Sequence, residues 1–228
     1  MRAVRNLFPP AVRNALVRVD RGATHRVQKL HGRGRDRFVR TVTWLGSQKF
    51  LIPAALAVCA ALKLSGHGSA SLFLGFTMLG GSGWSPLFKR GFRRGRPDLW
   101  PPLTREKSHS FPSGHATMSS VFFGALAVVA VQLLPGPLGK AAACAAAALI
   151  ILTVAFSRVY LGVHWLSDVV AGILLGLTWV AVCTAGAAFF ARRAPEYPRA
   201  GGSVIRGMES AGMVSRGRPT PSFARGPA

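Results

Sequence analysis

The sequence predicts an all-α integral-membrane helical bundle of about five transmembrane helices with basic tails. Half of the 228 residues are hydrophobic, and the formal net charge is +22. The charge lies outside the apolar segments: residues 1–40 hold eleven Arg/Lys, residues 88–115 hold seven and residues 192–228 hold seven. Basic flanks around uncharged spans are typical of membrane proteins that meet anionic lipid. We therefore expect the bilayer, and no nucleic acid, as the partner of these basic regions.

Five apolar segments approach the roughly 20 residues that a membrane-spanning helix needs. They lie at about 50–64, 69–88, 116–134, 138–156 and 168–191. The first is the shortest, and it reaches spanning length only if it extends backwards through TVTWLGSQK. An LPGPLG turn separates the third from the fourth, because its prolines interrupt a helix. In the fifth, Gly172 and Gly176 have a spacing that permits close helix packing.

The membrane domain is predicted at residues 42–191, and a basic tail lies on each side of it. In the N-terminal tail, residues 1–41, apolar residues recur at helical spacing: Val12, Ala15, Leu16 and Val19. This pattern predicts either an amphipathic helix on the membrane surface or a solvated tail. Residues 192–228 are rich in Gly, Pro, Ser and Arg, so we expect that tail to be disordered.

The longest polar insert, KRGFRRGRPDLWPPLTREKSHSFPSGHA, lies between the second and third apolar segments. A solvated basic loop is the ordinary explanation of such a charge run. However, it ends in Pro112-Ser113-Gly114-His115 directly before an apolar helix, so free backbone N–H groups point into it. A helix N-terminus of this kind can bind an anion. Lys89 and Arg96 could supply the matching cations.

A second polar junction, SRVYLGVHWLSDVVAG, separates the last two apolar segments and carries Arg158, His164 and Asp168. Ionisable residues are costly inside a membrane and usually mark function. If the helix begins at about residue 164, His164 and Asp168 share one face at i and i+4. The carboxylate would then orient the imidazole and raise its basicity. A break at Gly162 could turn Arg158 towards the same anion. Helix capping is the alternative role for the His–Asp pair.

Together these residues form an ordered set of eleven: Lys89-x6-Arg96-Pro97, Pro112-Ser113-Gly114-His115 and Ser157-Arg158-x5-His164-x3-Asp168. The set resembles the three-part signature of the type 2 phosphatidic acid phosphatase family, which shares its site with vanadium haloperoxidases. All eleven positions match. The resemblance covers about residues 42–190, and both tails lie outside it.

The resemblance implies hydrolysis of a lipid phosphate through a phosphohistidine, with no metal and no cofactor. His164 would attack phosphorus with Asp168 orienting its ring, and His115 would protonate the departing oxygen and then activate water. The phosphate oxygens would be held by the remaining polar residues of the signature. These are Lys89, Arg96, Ser113, Gly114 and Arg158.

A site at the mouth of apolar helices suits a substrate whose tail stays in the bilayer. We expect a polyprenyl diphosphate, such as undecaprenyl diphosphate, or a phosphatidate-like lipid. Two alternatives stay open: vanadate-dependent haloperoxidase chemistry on the same residues, and a non-enzymatic membrane adaptor. Asp98 and Glu106 are expected to pair with nearby arginines rather than to catalyse. The sequence carries no signature of an oligomeric state.

The side of the membrane follows from the number of spans. Six-helix members of the family have three spans before the first motif and an outward-facing site, whereas two precede it here. With an odd total number of spans, the amino terminus lies on the same side of the membrane as the predicted active site. The basic N-terminal tail then favours the cytoplasmic face of a bacterial-type plasma membrane. The basic C-terminal tail counts against this assignment, and an incorrectly assigned initiator could conceal a first helix.

Overall fold

The structure is a computed structural model that describes residues 9–193. Within this range the regular elements are all helical. They are α1 (Pro10–Gln28), α2 (Arg33–Val42), a 3-10 turn (Thr43–Gly46), α3 (Gln48–Leu64), α4 (Gly68–Phe92), α5 (Gly114–Leu133), α6 (Pro137–Tyr160) and α7 (Leu166–Arg193). The disordered tail predicted for residues 192–228 lies outside the described residues, except for its first two positions, which end α7.

Three helices, α5, α6 and α7, are each long and apolar enough to cross a membrane. The segment Arg33–Gly46 and α3 meet the same criterion as a pair bent by 49°, which gives up to four spans. The 25-residue helix α4 is long enough, but its many glycines and serines lower its hydropathy. The predicted all-α membrane fold is thus confirmed, and the count of five spans stays a prediction.

The first predicted span does not extend backwards as one straight helix. Ser47 has extended backbone torsions, and α3 starts again at Gln48. The bend turns Thr43 and Gly46 into the bundle, where both are buried. The backward extension is therefore a separate 3-10 turn, in which Thr43 and Gly46 are buried and Trp44 is 52% exposed.

The centre of the bundle is α5, whose residues 116–122 are buried without interruption. It packs with α3 and α4 around one apolar core: Leu51, Ala55, Leu74, Met78, Met118, Val121, Phe122 and Ala125. The outward-facing side chains of the surrounding helices are also apolar, among them Leu56, Leu72, Phe76, Leu138, Leu149 and Leu174. An apolar exterior around an apolar core suits a helix bundle in hydrocarbon.

Helices α4 and α6 run beyond their predicted C-terminal ends, and both extensions carry polar residues. Because α4 continues to Phe92, Lys89 lies in its last turn. Because α6 continues to Tyr160, Arg158 projects from a helix rather than from a loop. The predicted break at Gly162 is confirmed, with a positive φ of 71°.

The N-terminal helix α1 turns polar residues inward. Asp20 and Thr24 are buried, whereas the apolar residues Val12, Leu16 and Val19 remain 40–57% exposed. This part of the predicted tail is therefore helical and packs against the membrane domain. Its exposed apolar stripe is compatible with a position on the membrane surface, which stays a prediction.

The last helix, α7, lies against α5 through its glycines. A Cβ atom on Gly172 would lie 2.8 Å from the carbonyl oxygen of Ser113, and one on Gly176 would lie 2.6 Å from that of Thr117. Neither distance is tolerated by a real side chain. The packing role predicted for the glycine spacing is thus confirmed.

We expect Gly176→Ala to destabilise the protein by about 1–3 kcal/mol, because the added methyl group must push α7 away from α5. Thermal unfolding of the detergent-solubilised protein measures the effect. The matched control is Gly186→Ala on the same helix, where a Cβ would meet no atom within 4 Å. Equal unfolding temperatures for the two variants would contradict this account of the packing.

Candidate active site

The structure brings the three parts of the signature together at one end of the bundle. A guanidinium nitrogen of Arg96, from the first part, lies 3.4 Å from Nε2 of His164 and donates to the Val163 carbonyl at 2.6 Å. The backbone N–H of Ser113, from the second part, donates to the carbonyl of Asp168 at 3.0 Å. The third part therefore contacts both of the others.

His164 lies in the short connection before α7, with 2% of its surface exposed. Its Nδ1 is 3.5 Å from Oδ2 of Asp168, close enough for an ion pair, but it has no hydrogen-bond partner among the described residues. Burial lowers the pKa of His164 to about 4, although the Asp168 carboxylate acts in the opposite direction. The imidazole is therefore neutral at pH 7, which is the form that a nucleophile requires.

Asp168 also caps the start of α7, which is the alternative role considered for it from the sequence. Its Oδ2 accepts the backbone N–H of Trp165 at 3.0 Å, and its Oδ1 accepts a guanidinium N–H of Arg94 at 2.6 Å. The helix begins at Leu166, two residues after His164. The His–Asp contact thus crosses the helix start instead of following one helical face.

The second part forms the N-terminus of α5. Ser113 is the N-cap, and its hydroxyl accepts from the backbone N–H of Ala116 at 3.5 Å. Gly114 and His115 occupy the first turn, whose N–H groups have no partner within the helix. This end of α5 offers N–H donors and a positive dipole to an anion.

Lys89 and Arg96 both bind the segment between α4 and α5. The Lys89 ammonium donates to the hydroxyl of Ser108 and to the carbonyl of His109, each at 2.9 Å. The Arg96 guanidinium donates to the carbonyl of Ser108 at 2.9 Å and to its hydroxyl at 3.3 Å. The two cations are thereby held side by side by the same pair of residues.

Arg158 is the most deeply buried cation of the site, with 2% of its side chain exposed. It donates to Oε1 of Glu106 at 2.5 Å and to the hydroxyl of Thr43 at 2.9 Å. Its Nε is buried and has no hydrogen-bond partner among the described residues. The prediction that Glu106 pairs with an arginine is confirmed. Asp98, in contrast, is exposed and forms no ion pair within residues 9–193.

A cavity of about 710 Å³ opens beside these residues. Lys89, Gly114 and His115 form part of its wall, together with Ser108 and His109. Arg96, Arg158 and His164 do not line it. The cavity thus reaches the first and second parts of the signature, and the Ser108–His109 segment on its wall contacts both cations of the first part.

Sequence reasoning missed several residues that support the signature, among them Arg94 and Asp20. Arg94 lies at an unspecified position between Lys89 and Arg96, yet it binds Asp168 directly. Asp20 lies in the predicted N-terminal tail and binds Arg94 at 2.6 Å. The only available signal was an aspartate among eleven basic residues of the tail, and that is also common on solvated surfaces.

Comparison with known proteins agrees with this geometry. The sequence profile of the PAP2 superfamily matches residues 70–191, more than half of the chain. Phosphatidylglycerophosphatase B of Bacillus subtilis is 33% identical over 137 residues, covering 60% of this chain and 67% of that protein. A lipid A 1-phosphatase of Rhizobium johnstonii is 32% identical over 144 residues, covering 59% of this chain and 53% of that protein.

Two solved structures have a similar fold. A transmembrane PAP2-type phosphatidylglycerolphosphate phosphatase from Bacillus subtilis matches with a TM-score of 0.73 at 26% identity, over 86% of this chain and 93% of that one. LpxE of Aquifex aeolicus matches with a TM-score of 0.59 over 73% of this chain and 94% of that one. At 20% identity, the second likeness concerns the fold alone.

Three findings lead to the same family assignment: the profile match, the relatives and the fold. The signature residues, which lie together at one end of the bundle, agree with this assignment. The profile spans α4 to α7, which carry all three parts of the signature. The two curated relatives are phosphatases by name. The chain belongs to the PAP2 superfamily and is an integral-membrane hydrolase of phosphate esters.

Proposed function

We propose that this protein removes a phosphate group from a membrane lipid through a phosphohistidine at His164. The observation that carries the proposal is a buried, neutral imidazole with a carboxylate on one side and an arginine on the other. The relatives support a lipid substrate, since their names specify phosphatidylglycerophosphate and lipid A. The bundle end supports it further, because a lipid tail can remain in the bilayer while its phosphate enters the site.

In the first step, the Nε2 lone pair of His164 attacks phosphorus in line with the leaving oxygen. A nitrogen–phosphorus bond forms and the phosphorus–oxygen bond to the lipid breaks. His115, half-buried on the cavity wall, donates a proton to the departing lipid oxygen. Asp168 stabilises the positive charge that develops on the imidazole.

In the second step, His115 accepts a proton from water, and the resulting hydroxide attacks phosphorus. The nitrogen–phosphorus bond breaks, its electron pair returns to His164, and inorganic phosphate leaves. A positioned acid or base of this kind contributes about 10² to 10⁴ in rate. Using one residue as acid and then as base regenerates the enzyme in its starting protonation state.

Cationic and N–H donors stabilise the transferring phosphoryl group in this proposal. Lys89, Arg96 and Arg158 bring three positive charges, and Ser113 and the Gly114 amide add neutral donors at the start of α5. Donors aimed at developing charge are often the largest contribution to phosphoryl transfer. We propose that these cations take the place of a metal ion.

The substrate is proposed to be a phosphate monoester on a diacyl or acylated sugar lipid, with a polyprenyl diphosphate as the second candidate. The names of the two relatives favour the monoester. The cavity favours neither, because its wall combines small and apolar residues with cations. These are Ser82, Ser85, Pro86 and Met118, and Lys49, Lys89, Arg90 and Arg93.

The purified protein in detergent is expected to release phosphate from at least one lipid of a panel with EDTA present. The panel contains phosphatidylglycerophosphate, phosphatidate, lipid A and undecaprenyl diphosphate. His164→Ala and His115→Ala are each expected to reduce kcat by at least about 10², since nucleophile and acid are lost. Phosphate release over time is the measurement, and thermal unfolding verifies that the variants are folded.

Two results would contradict the proposal. Full activity of folded His164→Ala would exclude the covalent intermediate. An absolute requirement for a divalent metal would contradict the assignment of phosphate binding to the three cations. Asp98→Asn, at an exposed residue of the same insert, is the control and is expected to retain wild-type turnover.

The segment that carries Glu106, Ser108 and His109 has a further proposed role. It supplies oxygen acceptors to all three cations, and a substrate phosphate would replace them. Glu106 is the charged member, because its carboxylate pairs with Arg158. It therefore competes directly with phosphate for that guanidinium.

Glu106→Gln is expected to tighten inhibition by inorganic phosphate about three- to tenfold, because a competing negative charge is removed. The inhibition constant, measured against the best substrate of the panel, reports the effect. Asp98→Asn again serves as control and should leave the constant unchanged. Weaker phosphate inhibition in Glu106→Gln would show that the carboxylate supports the site instead of competing within it.

We propose that the site faces the cytoplasmic side of a bacterial-type plasma membrane. The contact between Asp20 and Arg94 supports a shared side for α1 and the site. Residues 1–40 contain eleven Arg/Lys and two Asp, and such a segment is retained in the cytoplasm by the positive-inside rule.

Single cysteines in a cysteine-free background test the orientation. A cysteine at exposed Arg21 on α1 is expected to resist a membrane-impermeant maleimide in intact cells and to react after permeabilisation. The matched position is Pro135, in the turn at the opposite end of α5, which is expected to react in intact cells. The reverse pattern would place the site on the outer face.

A further inference from the structure

We propose that Arg94 and Asp20 are positioning residues of the site, through which helix α1 holds the carboxylate of Asp168 against His164. The inference rests on the proposed function, because it assigns these two residues a part in the same reaction. It extends the functional unit to the N-terminal helix, which lies outside the three-part signature.

Arg94 bridges two carboxylates with the two arms of its guanidinium. One terminal nitrogen donates to Oδ1 of Asp168 and the other donates to Oδ2 of Asp20, each at 2.6 Å. The first nitrogen also donates to the hydroxyl of Ser167 at 2.7 Å. A planar guanidinium can make both contacts at fixed angles, whereas a lysine ammonium provides only a single charged point.

Asp20 fixes the far end of this bridge. Its side chain is 2% exposed, and it accepts the backbone N–H of Ser167 at 2.8 Å and the hydroxyl of that residue at 2.7 Å. Asp20 thus binds the first turn of α7 as well as Arg94. The carboxylate of α1 ties together the insert that follows α4 and the helix that carries Asp168.

As a result, the two carboxylate oxygens of Asp168 have different partners. Arg94 occupies Oδ1, and Oδ2 is left for the Trp165 N–H and for the ring of His164. Without Arg94, the carboxylate loses the contact that fixes its rotation. The imidazole then loses the partner that sets its direction, and a displacement of about 1 Å at a reacting group can cost 10²-fold in rate.

The positive charge of Arg94 also affects the protonation of His164. An ion pair that only stabilised the fold would have no such effect. The charged and titratable groups around His164 are Asp168 on α7, Arg96 on the insert, Arg158 on α6 and His115 on α5. Arg94 partly neutralises the first of these. Removing Arg94 exposes His164 to the full carboxylate charge, which favours the protonated imidazole. The acidic limb of the rate profile, below which His164 is protonated, should therefore move to higher pH.

The test compares kcat, KM and the pH profile of folded variants in detergent, on the substrate with the highest wild-type turnover. Asp20→Asn and Arg94→Lys are each expected to lower kcat at least about tenfold with KM changed less than about threefold. Arg94→Ala is expected to lower kcat further and to raise the acidic limb by about half a pH unit or more. Asp98→Asn and Arg21→Ala, at exposed positions without ion pairs among the described residues, should match the wild type.

Arg94→Ala leaves two aspartates without their shared cation, so this variant alone can fail to fold. The double variant Asp20→Asn/Arg94→Ala removes one of the unpaired charges and supplies a folded protein for the same measurements. Its kcat is expected to stay low, since the bridge to Asp168 is still missing.

Wild-type kcat and pH profile in these variants would overturn the inference, and so would lower unfolding temperatures with unchanged kcat. The proposed function stands in both cases, because the enzyme is active and depends on His164. A wild-type protein that releases no phosphate from any lipid of the panel would instead overturn the proposed function and this inference together.

Discussion

Asp168 carries a carboxylate that is completely buried where α7 begins, and a buried carboxylate is costly unless cations and N–H donors neutralise it. Arg94 supplies the cation, and the backbone of Trp165 supplies an N–H. His164 stands beside the remaining face of the same group. In the proposed function, the direction of the imidazole depends on how this carboxylate is held, and Arg94 and the Trp165 N–H both hold it.

The packing of α7 against α5 brings the backbone of Asp168 next to the N-terminus of α5. Gly172 lets the two backbones approach so closely that no side chain would fit between them. At that approach, the N–H of Ser113 reaches the carbonyl of Asp168. The N-terminus of α5 and the first turn of α7 are thereby joined by a backbone hydrogen bond.

The cations of the site need oxygen acceptors and negative charge around them, because they lie at the end of an apolar bundle. The insert between α4 and α5 satisfies them with two carbonyls, a hydroxyl and the Glu106 carboxylate. A phosphate group presents oxygen acceptors of the same kind with more charge. Exchange of the insert for a phosphate would therefore preserve the hydrogen bonds of the cations while adding a charge that they are suited to stabilise.

The sequence by itself determined the all-helical membrane fold and the composition of the signature. Apolar length and the position of basic clusters are local properties, so helices α3 to α7 could be placed to within a few residues. The signature could also be read as one set, because its spacing is specific. Glycine spacing in α7 predicted close packing for the same local reason.

Only the tertiary structure decided which groups hold the signature in place. Arg94 occupies a position that the spacing leaves open, and Asp20 lies about 70 residues earlier along the chain, so no local pattern links them. Ion pairs between distant segments depend on how helices cross, and crossing is set by packing across the whole bundle. The bend before α3, which turns Thr43 towards Arg158, has the same origin. The sequence thus predicted which residue types form the site. The residues that hold them in position could be identified only from the packing of the helices.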